Sequence, residues 1–277
     1  MAGGILRKLD RLVSPGRERE PRKRKPVGAL GPMGARETGG AVMRDDGFPV
    51  IDGPHYLDVL RGLHERLNPA WYFEIGAFKG HSLAQARCDV VAVDPEFRFA
   101  HPVLGAARRG HFFQMTSEAF FAEGFLEQAG IIPDLAFLDG LHHYEALLED
   151  FIATEARMAP GGVIVLHDCA PTDHLMAERE WPATSPAWTG DVWKTLAALI
   201  EHRPDLRIDV LDAWPSGLVA VRALDPGNRA LPAAMGAIRR RFDAVSLADF
   251  GVARYFGMFE IMASARFVAG LPDRGAA

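Results

Sequence analysis

Two carboxylates and two histidines follow apolar segments in the middle of the chain and have the composition of a metal site. Asp139 ends the segment DLAFL, His142 comes three residues later, and His167-Asp168 ends the apolar run VIVL. If the two runs are neighbouring strands, Asp139 and Asp168 face one pocket, where carboxylates repel unless a cation or proton lies between them. A hard divalent cation, Mg²⁺ or Mn²⁺, would relieve that repulsion. We therefore predict a metal site at Asp139, His167 and Asp168.

A hydroxyl-bearing substrate suits such a site. A sugar or aliphatic hydroxyl is a poor nucleophile until metal coordination lowers its pKa and a nearby base removes its proton. His142, at the start of the next predicted helix, is the candidate base, and His143 and His167 are its rivals. His167 acts as a metal ligand only if strand alternation points it toward the pocket. In the simpler alternative, Asp139 caps the helix and the histidines are surface residues.

A second group of polar residues surrounds the earlier apolar run WYFEI. Glu74 precedes a turn from Gly76 to Gly80, and Asp94 ends the next apolar run 20 residues after Glu74. Gly76 permits a sharp turn, Gly80 leaves room for a close ligand, and Asp94 can accept both hydroxyls of a ribose. The turn lacks the middle glycine of G-x-G-x-x-G, which disfavours the pyrophosphate of NAD or FAD. A phosphate-free nucleoside with a cation near Glu74, such as S-adenosylmethionine (SAM), fits better.

Apolar runs alternate with helical patterns five times, which indicates an α/β protein. We expect a Rossmann-like, doubly wound fold with a mainly parallel seven-stranded sheet, helices on both faces and a closing hairpin. Helices are predicted at 54–67, 83–87, 116–128, 144–158, 191–202, 230–242 and 247–269. Polar residues fall at the carboxyl end of each strand, which is the edge where open α/β sheets bind ligands.

The domain organisation follows from composition. We expect a basic, mostly disordered tail over residues 1–47, a catalytic domain over 48–224 and a C-terminal helical extension over 225–277. Within the tail, residues 3–13 have the pattern of a basic amphipathic helix, and Arg22 to Lys25 is a basic run. A solvated tail is preferred over membrane or nucleic-acid binding. The long loop 169–189 is predicted to be a lid, and the C-terminal helices are candidates for a homo-oligomer contact.

Charge and cysteine content limit the function classes. The net charge of −5 and pI of about 6.1 give no argument for nucleic-acid binding. The sequence contains no apolar run of the ~18–20 residues that a membrane span needs. Two cysteines, Cys88 and Cys169, lack metal-ligand spacing, so a reducing, cytoplasmic setting is expected.

Three motifs together resemble the class I SAM-dependent methyltransferases, and among them a metal-dependent O-methyltransferase group. Residues 74–82 match E/D-x-G-x-x-x-G-x-S, residues 139–144 match D-G-x-H-x-Y, and residues 160–168 match P-G-G followed by an apolar strand and H-D. Residues 188–194, WTGDVWK, are similar to a segment of relatives found among bacterial surface-polysaccharide genes. The resemblance covers roughly residues 50–222.

The resemblance implies a SAM site, a metal held by the acids that end strands four and five, and a base three residues after the first acid. That position is His142. His167 departs from the family pattern, in which an acid precedes Asp168, and this departure favours a softer ion or none. The implied cofactor-binding residues are Glu74, Gly76, Gly80, Ser82, Asp94, Ser117 and Asp139.

We therefore expect a SAM-dependent methyltransferase that acts on the hydroxyl of a sugar, glycan or other small acceptor, with His142 and Asp139 as catalytic residues. Trp181, Trp188 and Trp193 are candidates for stacking on an acceptor ring. Three alternatives remain: a metal-independent N- or carboxyl-methyltransferase, a non-catalytic SAM-binding protein and, disfavoured by the missing glycine, an NAD-binding oxidoreductase.

Overall fold

One eight-stranded sheet organises residues 41–273, which are the residues that the computed structural model describes. The strand order is β3-β2-β1-β4-β5-β7-β6-β8. Strands β1 to β5 pair in parallel, β7 is antiparallel to both of its neighbours, and β8 is parallel to β6. The strands are β1 Trp71–Ile75, β2 Asp89–Val93, β3 Gly110–Phe113, β4 Leu135–Leu138, β5 Val163–His167, β6 Arg207–Leu211, β7 Leu218–Arg222 and β8 Ile261–Met262. This topology confirms the predicted doubly wound α/β class.

Nine α-helices flank the sheet in the described part of the chain. They are α1 Tyr56–Leu67, α2 Ser117–Glu123, α3 Phe125–Ala129, α4 Tyr144–Glu155, α5 Trp193–His202, α6 Ala230–Phe242, α7 Leu247–Phe250, α8 Val252–Phe256 and α9 Ser264–Gly270. The predicted basic tail segments, residues 3–13 and Arg22 to Lys25, lie outside the described residues. Among the residues described, no helix is both long and apolar enough to cross a membrane.

Alternation along the strands gives the sheet two apolar faces. On β4, Leu135 and Phe137 pack into the cluster that contains α1 and α9, whereas Ala136 and Leu138 pack into the cluster of α4, α5 and α6. Both faces are buried because a parallel sheet in this class is covered by helices on each side. The strand ends are therefore the places where the sheet can present polar groups to a ligand.

The C-terminal segment differs from the sequence prediction. One helix was expected over 247–269, but the chain forms α7, α8, β8 and α9 there. Gly251 separates α7 from α8 with φ of +96°, a conformation that L side chains rarely adopt. Beyond Gly257, Ile261 and Met262 pair with the free edge of β6 and add the eighth strand. The predicted count of seven strands was wrong because edge pairing overrode helical periodicity here.

Two other predicted helices are shorter than expected. The helix predicted at 83–87 is a single 3₁₀ turn, Leu83–Gln85, because β2 begins only a few residues later at Asp89. The helix predicted at 116–128 is divided into α2 and α3 by Gly124, whose φ is +65°. Both cysteines carry free thiols, Cys169 being buried.

The C-terminal helices pack on the central sheet. Leu231, Ile238, Phe242 and Tyr255 are all buried in the larger apolar cluster with the strand residues. The Tyr255 hydroxyl donates a hydrogen bond to the carbonyl oxygen of Cys169 over 2.6 Å, just beyond the end of β5. These helices therefore support the loop that leaves the sheet at its functional edge. The predicted boundary at residue 225 and the oligomer contact stay predictions.

Candidate active site

Asp139, His142 and Asp168 meet at the carboxyl ends of β4 and β5. Each offers one ligand atom, and these atoms all lie within 4.8 Å of one another. His142 Nε2 is 3.3 Å from Asp168 Oδ2 and 3.5 Å from Asp139 Oδ1. The imidazole thus faces both carboxylates, in a geometry that suits either a shared proton or a small cation.

Strand register brings the two acids together. Because Leu138 of β4 is aligned with Leu166 of β5, both strands deliver their next polar residues to one sheet edge. Asp168 has φ of +62°, a left-handed conformation that costs a non-glycine residue on the order of 1–3 kcal/mol. The buried Ser216 hydroxyl, from the loop before β7, donates a hydrogen bond to Asp168 Oδ1. The fold thus holds Asp168 in a strained position at the site.

Neighbouring charges set the direction of the pKa shifts of His142 and Asp168. Burial alone would lower the pKa of His142, but the carboxylates of Asp168 and Asp139 outweigh it and raise that pKa. Burial alone would raise the pKa of Asp168, but the neighbouring His167 and His142 hold that pKa below its ordinary value. The cluster therefore favours ionised carboxylates with a positive charge between them.

His167 lies beside the acids but is oriented differently from His142. Its Nδ1 is 3.1 Å from Asp139 Oδ1, and because a carboxylate oxygen accepts, Nδ1 carries the proton. The ring packs 4.5 Å from the Tyr56 ring, and Nε2 is buried without a hydrogen-bond partner in the described part of the chain. His167 thus uses its site-facing nitrogen to orient Asp139. Nδ1 also lies 3.3 Å from Asp168 Oδ1, and the predicted role of His167 as a metal ligand stays a prediction.

Glu74 is the fourth residue of β1 and precedes the turn between Gly76 and Gly80. Its side chain is fully buried, and Oε1 accepts a 2.5 Å hydrogen bond from the Ser82 hydroxyl. Burial raises the pKa of Glu74 to about 7, although hydrogen bonds with the Ser82 and Tyr72 hydroxyls oppose the shift. Ser82 therefore supports Glu74 in this structure, and the buried Tyr72 hydroxyl is a second neighbour of the same carboxyl.

Asp94 closes the same turn from β2. Its Oδ2 accepts a 2.9 Å hydrogen bond from the Phe78 N–H, and its Oδ1 accepts a 2.7 Å hydrogen bond from the Glu96 N–H. Burial raises the pKa of Asp94, against these two backbone donors. Glu74 and Asp94 thus lie at the carboxyl ends of adjacent strands, on either side of the turn between Gly76 and Gly80.

Gly76 and Gly80 are required for different reasons. A Cβ on Gly76 would lie 1.9 Å from the Asp139 carbonyl oxygen, so this glycine lets the turn pack against the end of β4. A Cβ on Gly80 would lie 2.5 Å from Val103 Cγ1, so this glycine makes room for the loop after β2. The two glycines shape the turn, and Gly76 links it directly to the Asp139 backbone.

Ser117, the first residue of α2, belongs to a separate polar contact. Burial raises the pKa of Asp150 on α4 to about 7, and a hydrogen bond with the Ser117 side chain opposes that shift. Thr116 caps the helix, its hydroxyl oxygen accepting from the Ala119 N–H over 3.3 Å. Ser117 thus links α2 to α4, and its contact with a cofactor stays a prediction.

The lid carries an aromatic stack to His142. The Trp188 ring lies 5.1 Å from the His142 ring, and Trp181 is stacked on Trp188 at 5.8 Å with an interplanar angle of 13°. Both indole N–H groups are bound by lid carbonyls, those of Ser185 and Glu178. Trp193 is fully buried in the core, so it does not belong to this stack.

Sequence reasoning missed three contributions to the site. Ser216 binds Asp168, Tyr56 packs on His167, and Asp191 caps α4 by accepting the Tyr144 N–H over 2.9 Å. Asp191 begins the helix predicted at 191–202, but its side chain caps a different helix. The W-x-G-D pattern was the available signal for Asp191, whereas Ser216 carried no local signal.

We expect Glu74→Gln to remove part of the pH dependence of stability. The carboxyl has a pKa of about 7 when folded against an ordinary value of 4.5, so its contribution is lost as pH rises from 4.5 through 7. Urea unfolding at pH 5 and pH 8 should show a smaller loss in the variant, by on the order of 1–3 kcal/mol. Glu118→Gln, at an exposed position, is the control. An unchanged pH difference in Glu74→Gln would contradict this account of Glu74.

Comparison with known families bears on the same part of the chain. Residues 73–169, from β1 to just beyond β5, match a family described as "Methyltransferase domain". This match confirms the prediction that the chain is an enzyme of the methyltransferase class. No curated protein matches the chain.

Solved structures with similar folds include methyltransferases. Cofactor-bound Rv0187 from MTB is 19% identical, covers 61% of this chain and 79% of its own, and has a TM-score of 0.45. The O-methyltransferase TomG from Streptomyces achromogenes, in complex with SAM, is 15% identical, with 61% and 80% covered and a TM-score of 0.45. An O-methyltransferase from Bacillus cereus in complex with SAH is 17% identical, with 63% and 84% covered and a TM-score of 0.44. The fold class of this chain rests on its own strand order.

Proposed function

We propose that this chain is a SAM-dependent O-methyltransferase that acts on a sugar or another small hydroxylated acceptor. The observation that carries the proposal is the meeting of Asp139, His142 and Asp168 at the sheet edge that also presents Glu74 and Asp94. Methyl transfer from SAM to a hydroxyl requires a nucleoside site and an acid–base cluster close together, as on one edge of this sheet.

The turn between β1 and β2 supports the SAM part of the proposal. SAM, when bound, supplies a methyl group on a positively charged sulfur. Glu74 places a buried carboxyl beside the turn, which suits a cationic or N–H ligand, and Asp94 has acceptor capacity for ribose hydroxyls. Gly76, Gly80, Ser82 and Ser117 complete the proposed cofactor-binding set, the first three by shaping and supporting the turn.

The donor set at Asp139 and Asp168 fits a hard divalent cation. Two carboxylates and an imidazole nitrogen suit Mn²⁺, and the carboxylates alone suit Mg²⁺. Such an ion, when bound, lowers the pKa of a coordinated hydroxyl. Ser216 and His167 would orient the two carboxylates through the hydrogen bonds they already make.

His142 is assigned the proton transfer. Its Nε2 faces the carboxylates, lies at the mouth of the lid and accepts a proton once its ring is neutral. A second role is favoured by one observation, since Nε2 also lies within 4.8 Å of both acids' ligand atoms and could join them as the third metal ligand. The two roles predict different effects of a His142 variant on metal affinity.

The lid supports an acceptor with a flat apolar face. Trp181 is 46% exposed and forms the outer end of the stack that reaches His142 through Trp188. Aromatic faces of this kind bury the apolar side of a ring while the ring's polar edge stays accessible. A pyranose on this wall would direct a hydroxyl toward His142.

Methyl transfer from labelled SAM to a panel of free sugars, nucleotide sugars and phenols tests the proposal. We expect transfer to oxygen on at least one sugar, with activity lost in EDTA and restored by Mg²⁺ or Mn²⁺. Full activity in EDTA would show that the reaction needs no metal, and it would favour a proton shared by His142 and the two acids. Transfer only to nitrogen or carboxylate acceptors would contradict the O-methyltransferase assignment.

A further inference from the structure

We infer that Trp214 forms a second ring-binding subsite and that the acceptor is a saccharide of at least two sugar rings. The inference deepens the proposed function and rests on it, because the first subsite is the stack of Trp181 on Trp188 in the lid. Trp214 lies in the loop between β6 and β7 and is 50% exposed. Its position, its contacts and its exposure carry the inference.

Sheet topology places Trp214 at the same edge as the acids. Because β7 is antiparallel to both of its neighbours, β6 ends at the same edge of the sheet as β5. The loop after β6 returns to the sheet at Leu218, which pairs with His167 at the end of β5. Two residues before Leu218, the Ser216 hydroxyl donates a hydrogen bond to Asp168. Trp214 is therefore in the same short loop as a side chain that holds one of the acids.

A series of ring contacts also joins Trp214 to the acids. The Trp214 ring lies 5.2 Å from the His55 ring, which is stacked on the Tyr56 ring at 4.8 Å. The Tyr56 ring in turn packs 4.5 Å from the His167 ring, whose Nδ1 contacts Asp139. We call His55, Tyr56 and Trp214 the second aromatic wall. It reaches Asp139 through one histidine, and the lid stack reaches the same acid through another.

Backbone hydrogen bonds hold the second aromatic wall in place. The Trp214 N–H donates to the Pro54 carbonyl oxygen over 2.9 Å, and the Tyr56 N–H donates to the Trp214 carbonyl oxygen over 3.0 Å. A Cβ on Gly53 would lie 2.4 Å from the Asp212 carbonyl oxygen, so the two segments approach as closely as glycine permits. An aromatic ring on a fixed backbone loses little conformational entropy when it binds a ligand. The exposed indole is therefore preorganised for binding.

The exposure of the two tryptophans favours sugar rings over aromatic acceptors. Trp181 and Trp214 each keep about half of their surface open to solvent. A pyranose has an apolar face that such an indole can cover, and its hydroxyl edges stay hydrated. A phenolic ring is apolar on both faces and would leave one of them in water. Two half-open indoles thus suit two rings of one saccharide, with the methylated hydroxyl near the acids.

Fluorine-19 NMR of the full-length protein labelled with 5-fluorotryptophan tests the inference. The chain has five tryptophans, and the two signals of interest are assigned with Trp181→Phe and Trp214→Phe. The probes are the methyl glycosides of glucose, galactose, mannose and rhamnose, disaccharides of the same sugars, and 4-nitrophenol. We expect at least one disaccharide to shift the Trp181 and Trp214 signals with one common Kd, and the matching methyl glycoside to shift only the Trp181 signal. The Trp71 signal should not move, since Trp71 begins β1 at the opposite edge of the sheet.

Trp214→Ala is expected to raise the Kd of that disaccharide about tenfold, the effect of losing one aromatic stacking partner. The Kd of the matching methyl glycoside and the affinity for S-adenosylhomocysteine should stay unchanged. Ile132→Ala is the matched control, because Ile132 is also an exposed apolar residue but precedes β4 at the opposite edge of the sheet. This control should bind the disaccharide with the wild-type Kd.

Two results would overturn the inference: a Trp214 signal that no saccharide of the panel moves, whether or not 4-nitrophenol moves it, or a Trp214→Ala variant with the wild-type disaccharide Kd. The wild-type titration decides the first point even if Trp214→Ala does not fold. Equal kcat/KM for a methyl glycoside and its disaccharide would also overturn the subsite and leave the proposed function in place. Disaccharide binding at both tryptophans in a protein that never methylates oxygen would count against the proposed function and leave the subsite in place.

Discussion

Replacing His142 by alanine is expected to lower kcat by about 100- to 10,000-fold, the range typical of a lost general base. The variant removes the His142 Nε2 atom, which faces both Asp139 and Asp168. Because the hydrogen bond and ring contact of His142 are made with Trp188 of the lid, affinity for SAM should be retained. Steady-state methyl transfer and calorimetry with S-adenosylhomocysteine measure the two quantities separately.

His143→Ala is the matched control for this prediction. The two histidines are adjacent, but His143 Nδ1 lies 3.3 Å from Arg179 Nη2, away from the acids. We expect His143→Ala to stay within about tenfold of wild type. A wild-type rate in His142→Ala would show that His142 is not the general base. A loss of Mn²⁺ affinity in His142→Ala would instead assign His142 as the third ligand.

Asp139→Asn is expected to lower kcat at least about 100-fold and to weaken Mn²⁺ binding, since loss of even an indirect partner of a metal costs 10- to 100-fold. Asp139 Oδ1 accepts a hydrogen bond from His167 Nδ1 and faces His142 Nε2. The asparagine amide therefore removes the negative charge that both histidines contact. Mn²⁺ titration by electron paramagnetic resonance measures the affinity without any turnover.

Asp134→Asn provides the comparison at the other end of the same strand. Asp134 precedes β4, and its Oδ2 accepts from the Ala70 and Trp71 N–H groups, which an asparagine oxygen can also do. Its rate and Mn²⁺ affinity should equal those of wild type. Equal Mn²⁺ affinity in Asp139→Asn and wild type would show that the acids hold no metal, and would favour the shared proton.

Features set by short-range sequence pattern could be predicted. The apolar runs, the glycine turn and the polar residue after each strand follow from local preference, and parallel strands deliver those polar residues to one edge. For this reason Glu74, Asp94, Asp139 and Asp168 could be assigned to strand ends before the structure was known. The eighth strand could not, because Ile261 and Met262 gain their strand conformation from the edge of β6.

Contacts between distant parts of the chain could not be predicted. The His142–Trp188 hydrogen bond joins residues 46 positions apart, and the Asp168–Ser216 hydrogen bond joins residues 48 positions apart. Neither partner belongs to a periodic pattern that marks it. The strand end alone also did not determine how the His142 ring is oriented toward the acids, because that ring packs on Trp188 of the lid.

Calorimetric titration of the full-length protein tests most directly whether a SAM site lies at the carboxyl ends of β1 and β2. We expect S-adenosylhomocysteine to bind at one site per chain and NAD not to bind. We expect Asp94→Asn to weaken the binding of S-adenosylhomocysteine. Binding of NAD with no binding of S-adenosylhomocysteine or SAM would contradict the proposed SAM site.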